Sequence, residues 1–195
     1  MTQRRMQSSD QSGFTLVETM IAIAVLTIGI LSLAAVLGTS VGRVEYAEEQ
    51  LIAREKALQA LESVYTARDT SQITFAQIAN TPNGIFTLGA TQLLCAGPDG
   101  LVNTTDDVAC PAAGPCPAGP ECVVLPGPDG ILGDADDVAM SLSNFTRQIA
   151  ITNVLEADGV TVNPTLKSIT VTITYAQSGA APQAYTVQAL ISAYN

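Results

Sequence analysis

The chain contains no histidine and no tryptophan, and only 8 of its 195 residues are Lys or Arg. Without histidine it lacks the commonest general base, the usual zinc ligand and every His-dependent triad, so catalysis is not expected. Eighteen acidic residues against those cations leave a formal charge of -10, which excludes a sequence-independent affinity for nucleic-acid phosphates. Charge of either sign is scarce at 13%, whereas 47% of the residues are apolar, a balance no disordered acidic chain has.

The scarcity of charge is concentrated. From Thr19 to Gly42 there are 24 consecutive uncharged residues, enough at about 1.5 Å per residue to cross a hydrocarbon core of roughly 30 Å. The preceding leader, MTQRRMQSSDQSG, carries Arg4 and Arg5 and favours a cytoplasmic N-terminus, so that everything after Gly42 faces outward. Two other readings compete with a single membrane span. A secretory signal peptide has a shorter apolar region, and a twin-arginine signal rests on Arg4 and Arg5 alone.

Beyond the span, the segment from Arg43 to Asp69 has no Pro or Gly, and the spacing predicts one helix from about Phe14 to Arg68. Val44, Ala47, Leu51, Leu58, Leu61 and Tyr65 form its expected apolar stripe. Residues 70–94 give mixed signals: a Thr-Pro-Asn-Gly turn at 81–84 and a short strand at about Ile85–Leu88. Toward the C-terminus, Ile169, Val171, Ile173 and Tyr175 alternate with threonines, the period of a strand with one buried face. FTRQIAITNV precedes this strand across Ala157-Asp158-Gly159. AYTVQALISAY follows across Ser178-Gly179, with Tyr185, Val187, Ala189 and Ile191 alternating. An antiparallel three-stranded meander covered by the amphipathic helix is expected.

At the N-terminus, Gly13-Phe14-Thr15-Leu16-Val17-Glu18 followed by an apolar run resembles the prepilin signature of type IV pilins and type II secretion pseudopilins. The stretch from Gly13 to Ala35, with AREKALQALESV downstream, looks most like minor pilins of the PilV type and minor pseudopilins of the GspI type. The resemblance implies a pilin-like α+β fold, a long N-terminal helix on a small antiparallel C-terminal sheet. It also implies scission after Gly13 by a prepilin peptidase, methylation of Phe14, and packing of the mature helix into a filament. Glu18 is the only charge between Phe14 and Gly42 and is costly at membrane depth. The resemblance gives it an assembly role, meeting the amino terminus of a neighbouring subunit; the alternative is a Thr15-x-x-Glu18 capping box. The implied partners are other pilin subunits, the peptidase and methylase, an inner-membrane assembly platform and, before assembly, the membrane itself. The implied location is a single-pass inner-membrane state followed by an extracellular pilus or periplasmic pseudopilus. A permanently anchored calcium-binding or adhesive domain is the reading from a different class.

An internal repeat fills the middle of the chain: GPDGLVNTTDDVA at 97–109 returns as GPDGILGDADDVA at 127–139. The copies gather Asp99, Asp106 and Asp107, then Asp129, Asp134, Asp136 and Asp137, and no Lys or Arg lies between Arg68 and Arg147. Oxygen-rich acidic loops suit calcium, although the spacing is not that of an EF-hand. They are similar to Asp-Gly loops of secreted calcium-binding repeats and, more loosely, to a pseudopilin calcium loop. One ion per loop is expected, with Asp99, Asp107, Asp129 and Asp137 foremost; the alternative is a pair of solvated hairpins. Cys95, Cys110, Cys116 and Cys122 fall in this region alone and fit no zinc spacing. Disulfides are expected in an outward-facing loop, with three connectivities possible. Pairing Cys95 with Cys110 and Cys116 with Cys122 would close the first acidic loop and a short loop.

The expected organisation is therefore a leader (1–13), a membrane and filament-core helix (14–42), an amphipathic helix (43–69), a connecting region (70–94), a Cys- and Asp-rich module (95–140) and the β-meander (141–195).

Overall fold

A computed structural model describes residues 13, 15–176 and 181–194. The leader from Met1 to Ser12, the expected methylation site Phe14 and the Ser178-Gly179 turn lie outside the described residues. The chain divides into two compact units, Met1–Glu45 and Tyr46–Asn195. Helix α1, Leu16–Asp69, begins in the first and ends in the second.

In the first unit, Leu16–Gly38 has a mean hydropathy of 2.7 and no part of it is buried. Polar side chains on this stretch turn back onto the helix. Thr19 and Thr27 hydroxyls each donate to the carbonyl three residues earlier at 2.8 Å, and the Ser32 hydroxyl donates to the Ile28 carbonyl. Such back-bonding lets hydroxyls enter hydrocarbon without unsatisfied polar groups.

In the second unit, α1 buries Ile52, Ala53, Ala57, Ala60, Val64 and Ala67. This is not the stripe the sequence suggests, of which the Val44 side chain lies outside the described residues and Ala47 is exposed. Leu51 is 64% and Leu58 42% exposed, while Leu61 and Tyr65 only flank the core. Two residues separate Leu51 from Ala53 and Leu58 from Ala60, which at about 100° each turns them to nearly opposite faces. The alanines take the inner face because a small side chain lets the helix backbone approach the sheet closely.

Strands β1 (Thr91–Gln92), β2 (Cys122–Leu125), β3 (Val138–Ser141), β4 (Phe145–Leu155), β5 (Val162–Tyr175) and β6 (Gln183–Ser192) follow. The expected meander is β4-β5-β6, antiparallel throughout, and β1 adds a fourth strand beside β4, giving the order β1-β4-β5-β6. β2 and β3 form a separate hairpin. In register, Ile149 faces Val171, which in turn faces Val187. Phe145, Ile149, Ile169, Val171, Ile173 and Ile191 join the alanine face of α1 in one apolar cluster. Each large apolar side chain removed from water contributes about 1.5–3 kcal/mol before conformational entropy is counted. Tyr65 donates its hydroxyl to the Leu190 carbonyl at 2.6 Å and Arg68 donates to the Ala193 carbonyl at 2.7 Å, fastening the helix to β6.

The strand expected at Ile85–Leu88 does not form. Phe86 makes only isolated bridges, to Asn80 and Thr104, and is buried in the core. The edge of β4 that a strand there would use is taken by one side chain: Asn80 donates to the Ile149 carbonyl at 2.7 Å and accepts from the Ile151 amide at 2.8 Å. The turns expected at 81–84 and 157–159 are present. The Asn83 amide donates to the Asn80 carbonyl at 3.1 Å, and Asp158 accepts from the Val160 and Thr161 amides at 2.9 Å. Gly159, at φ 69°, completes the second of these turns.

Candidate functional site

The N-terminal element is built from a cap and a single charge. Gly13 is exposed, and no described residue lies within 4 Å of where a Cβ would stand. Thr15 caps α1: its hydroxyl accepts from the Glu18 amide at 3.2 Å and its carbonyl from the Thr19 amide at 3.2 Å. Glu18 is exposed one turn into the apolar helix. The backbone of Glu18 thus completes the capping interaction, while its carboxylate is directed at an environment that lipid would make costly.

The two acidic loops share one backbone design. Gly100 and Gly130 close equivalent turns, their amides donating at 3.0 Å to the carbonyls of Gly97 and Gly127. Asp99 accepts from the Leu101 amide at 2.8 Å, and Asp129 from the Ile131 amide at 2.9 Å. Asp107 and Asp137 each accept from the amide four residues back, Asn103 or Gly133, at 2.8 Å. The glycines that open the copies are sterically required. A Cβ on Gly97 would lie 2.2 Å from the Asp106 carbonyl oxygen, and one on Gly127 would lie 2.4 Å from the Asp136 carboxyl carbon.

The copies differ in chemistry. In the first, Thr104 directs its hydroxyl at Asp106 (2.6 Å) and Asp107 (3.1 Å). That hydrogen bond holds Asp106 below its usual carboxylate range, whereas burial, aided by neighbouring Asp106, pushes Asp99 up. Cations are also closer than the sequence implies, because the fold carries Arg147 to 4.0 Å from Asp107. In the second copy Asp134 occupies the position of Thr104 and has no proton to donate when ionised. Carboxylate oxygens of Asp129, Asp134 and Asp136 lie within 4.8 Å of one another, all three residues exposed. Asp137 is not one of this trio, and its second oxygen, Oδ1, is buried without a hydrogen-bond partner among the described residues. The four carboxylates foremost in the sequence therefore do not form two equivalent sets.

Cys95 pairs with Cys110 (S–S 2.07 Å) and Cys116 with Cys122 (2.01 Å). The first bridge spans the first acidic loop, and the second ties the short Pro-rich loop to the start of β2. Both border a cavity of about 550 Å³, together with Lys56, Glu121 and Arg147. Glu121 binds Lys56 at 2.7 Å and Arg147 at 3.1 Å. Sequence reasoning missed this triad, although one signal was present. Arg147 sits between Phe145 and Ile149 on the inward phase of β4, which places a cation on the core side.

No curated protein and no solved structure matches the chain. The family described as "Prokaryotic N-terminal methylation motif" matches residues 8–34, covering Gly13, Thr15, Glu18 and most of the exposed apolar helix. Proteins with this signature are structural subunits that a prepilin peptidase processes and that assemble with other pilins. The chain carries the type IV prepilin signature at the head of an α+β, pilin-like fold.

Proposed function

We propose that this chain is a minor subunit of a type IV pilus or pilus-like filament. It is cut after Gly13, methylated at Phe14, held in the inner membrane by α1, and then drawn into an extracellular fibre. The observation that carries this reading is the coincidence of the methylation motif with a wholly exposed apolar helix whose single charge is Glu18. An apolar surface of that length needs lipid or neighbouring helices around it. In the fibre, Glu18 meets the amino terminus of an adjacent subunit, which neutralises both charges away from water. A pseudopilin of type II secretion would use the same helix in the periplasm, and the minor-pilin reading takes its weight from the wording of residues 13–35.

Mass spectrometry of sheared fibres tests the proposal. A mature N-terminus at methylated Phe14 in extracellular fibres supports it. An intact Met1, or a start near Ala35, overturns the processing step, and retention of all the protein in the membrane favours the anchored-domain reading.

For the acidic loops we propose calcium binding centred on the second copy. The support is the replacement of Thr104 by Asp134, which exchanges a hydrogen-bond donor for a third converging carboxylate. In the first loop the Thr104 hydroxyl already occupies oxygens of Asp106 and Asp107, so that loop is the weaker candidate. Titration calorimetry of the full-length chain in detergent should register calcium, with Asp134→Thr removing the stronger site. No calcium heat from the parent would return both loops to solvated hairpins, and equal heats from parent and variant would overturn the assignment of the stronger site to Asp134.

A further inference from the structure

Asn or Asp precedes Gly at four places: Asn83-Gly84, Asp99-Gly100, Asp129-Gly130 and Asp158-Gly159. A glycine has no Cβ to shield its amide nitrogen from the side-chain carbonyl of the residue before it. In the three Asp-Gly steps both groups are engaged. The Gly100, Gly130 and Gly159 amides each donate at 3.0 Å to the carbonyl three residues back, of Gly97, Gly127 and Glu156. The carboxylates accept in turn, Asp99 from Leu101, Asp129 from Ile131, and Asp158 from Val160 and Thr161.

Asn83-Gly84 differs on both counts. Asn83 is exposed, and neither its side-chain amide nor the Gly84 N–H has a hydrogen-bond partner among the described residues. The chain is pinned on either side of the step, by the Asn83 amide on the Asn80 carbonyl at 3.1 Å and the Ile85 amide on the Gln77 carbonyl at 3.2 Å. The other described asparagines have no such neighbour. Thr follows Asn80 and Asn103, Phe follows Asn144, Val follows Asn153, and Asn163 precedes Pro, which has no N–H.

We propose that Asn83-Gly84 is a site of spontaneous deamidation in the folded protein. The Gly84 nitrogen gives up its proton to solvent and bonds to Cγ of Asn83, while the Cγ–Nδ2 bond breaks and that nitrogen leaves, protonated, as ammonia. Water then opens the five-membered imide at either carbonyl, leaving aspartate or isoaspartate. One water is consumed and one ammonia released, with no oxidant or enzyme.

Both products alter this surface. Asn83 and Lys167 line one hollow of about 450 Å³. Among the described residues Lys167 is held by neutral groups, the Phe75 and Ile78 carbonyls at 2.8 and 2.7 Å and the Phe75 ring at 4.6 Å. Deamidation adds a carboxylate to that hollow. The isoaspartyl form also lengthens the main chain by one carbon where Gly84 has no room, since a Cβ there would lie 2.1 Å from the Ala79 carbonyl oxygen. It therefore strains the turn that leads into buried Phe86.

Uptake of heavy oxygen tests the proposal. The full-length chain in detergent is incubated at neutral pH in heavy-oxygen water, digested at acid pH in ordinary water, and mapped by mass spectrometry. Residue 83 should gain aspartate and isoaspartate carrying one heavy oxygen. Its uptake should be roughly tenfold or more faster than at Asp99, Asp129 or Asp158, where a turn hydrogen bond must break first. Unfolding the chain in guanidinium should speed those three steps more than the step at Asn83, and Asn83→Gln should abolish uptake at that position. Uptake at residue 83 that is no faster than at the Asp-Gly steps, or that begins only after unfolding, would overturn the proposal. Equal uptake in the glutamine variant would overturn it too.

Discussion

Glu121 is held from both sides, with Lys56 at 2.7 Å from one oxygen and Arg147 at 3.1 Å from the other. Glu121→Gln keeps the shape and removes the charge. Arg147, whose side chain is 2% exposed, then loses its nearer anion and keeps Asp107 at 4.0 Å, with neutral acceptors in the introduced amide oxygen and the Leu94 carbonyl at 3.3 Å. Breaking a buried pair from one side costs about 3–5 kcal/mol, because the remaining ion stays desolvated. Asp107 compensates part of this, so we expect about 3 kcal/mol. For a unit of this size that lowers the melting temperature by roughly 6–12 °C. Lys56→Met removes only the outer partner and should cost about 1 kcal/mol. The double variant Glu121→Gln with Arg147→Met removes both inner charges and should melt above Glu121→Gln alone, since an apolar replacement of a buried pair is close to neutral. The assay is thermal unfolding of the full chain in detergent, followed by near-ultraviolet circular dichroism of its tyrosines. The argument fails if Glu121→Gln costs no more than Lys56→Met and the double variant is the least stable of the three.

Gly97→Ala and Gly127→Ala meet the same steric obstruction with different results. The first should destabilise the folded unit by about 2 kcal/mol in chemical unfolding, while the second should leave stability within about 0.5 kcal/mol and weaken calcium binding by displacing Asp136. Replacing Cys95 and Cys110 with serine should cost about 3 kcal/mol, more than the same change at Cys116 and Cys122, because the bridged separations are 15 and 6 residues. Comparative melting under non-reducing conditions decides the order. Asp158 is held below the usual carboxylate range by the Thr161 hydroxyl and the Val160 and Thr161 amides. Its contribution is therefore present above the unfolded pKa of about 3.9 and lost as pH falls through the lower folded value. Asp158→Asn should melt below the parent at pH 7 and converge with it in acid, as a pH series of melting curves would record. Glu18→Ala should insert and be processed normally, yet appear in sheared fibres at least severalfold less than the parent by quantitative mass spectrometry.

The meander was legible because alternation is a local property. Ile169, Val171 and Ile173 need only a strand to share one face, and each is fully buried. The capping of α1 by Thr15 was legible for the same reason. Its inward face was not, because hydrophobicity ranks Leu51 and Leu58 above Ala53 and Ala60, whereas close packing on a sheet favours the smaller residues. The fate of Ile85–Leu88 was hidden by a contact to β4 made 69 residues away in sequence, through the Asn80 side chain. At the acidic loops, the repeat disclosed a common turn but not which copy would lie against the helix.

That last difference has a local cause visible once the fold is known. In the first loop Asn103 donates to the Thr87 carbonyl at 3.1 Å and accepts from the Thr91 hydroxyl at 2.9 Å, lashing the turn to the start of β1. In the second loop Gly133 occupies that position and offers no side chain for such a bond. Both residues adopt the left-handed region, at φ 66° and 104°, so the turn is preserved while the lashing is lost. Thr104 then closes the first loop internally with a hydroxyl, and Asp134 leaves the second one open with a carboxylate. Two substitutions at adjacent positions thus convert one turn from a buried brace into an exposed, negatively charged loop. The carboxylates on which the calcium proposal rests lie in the copy whose own fold makes the least use of them.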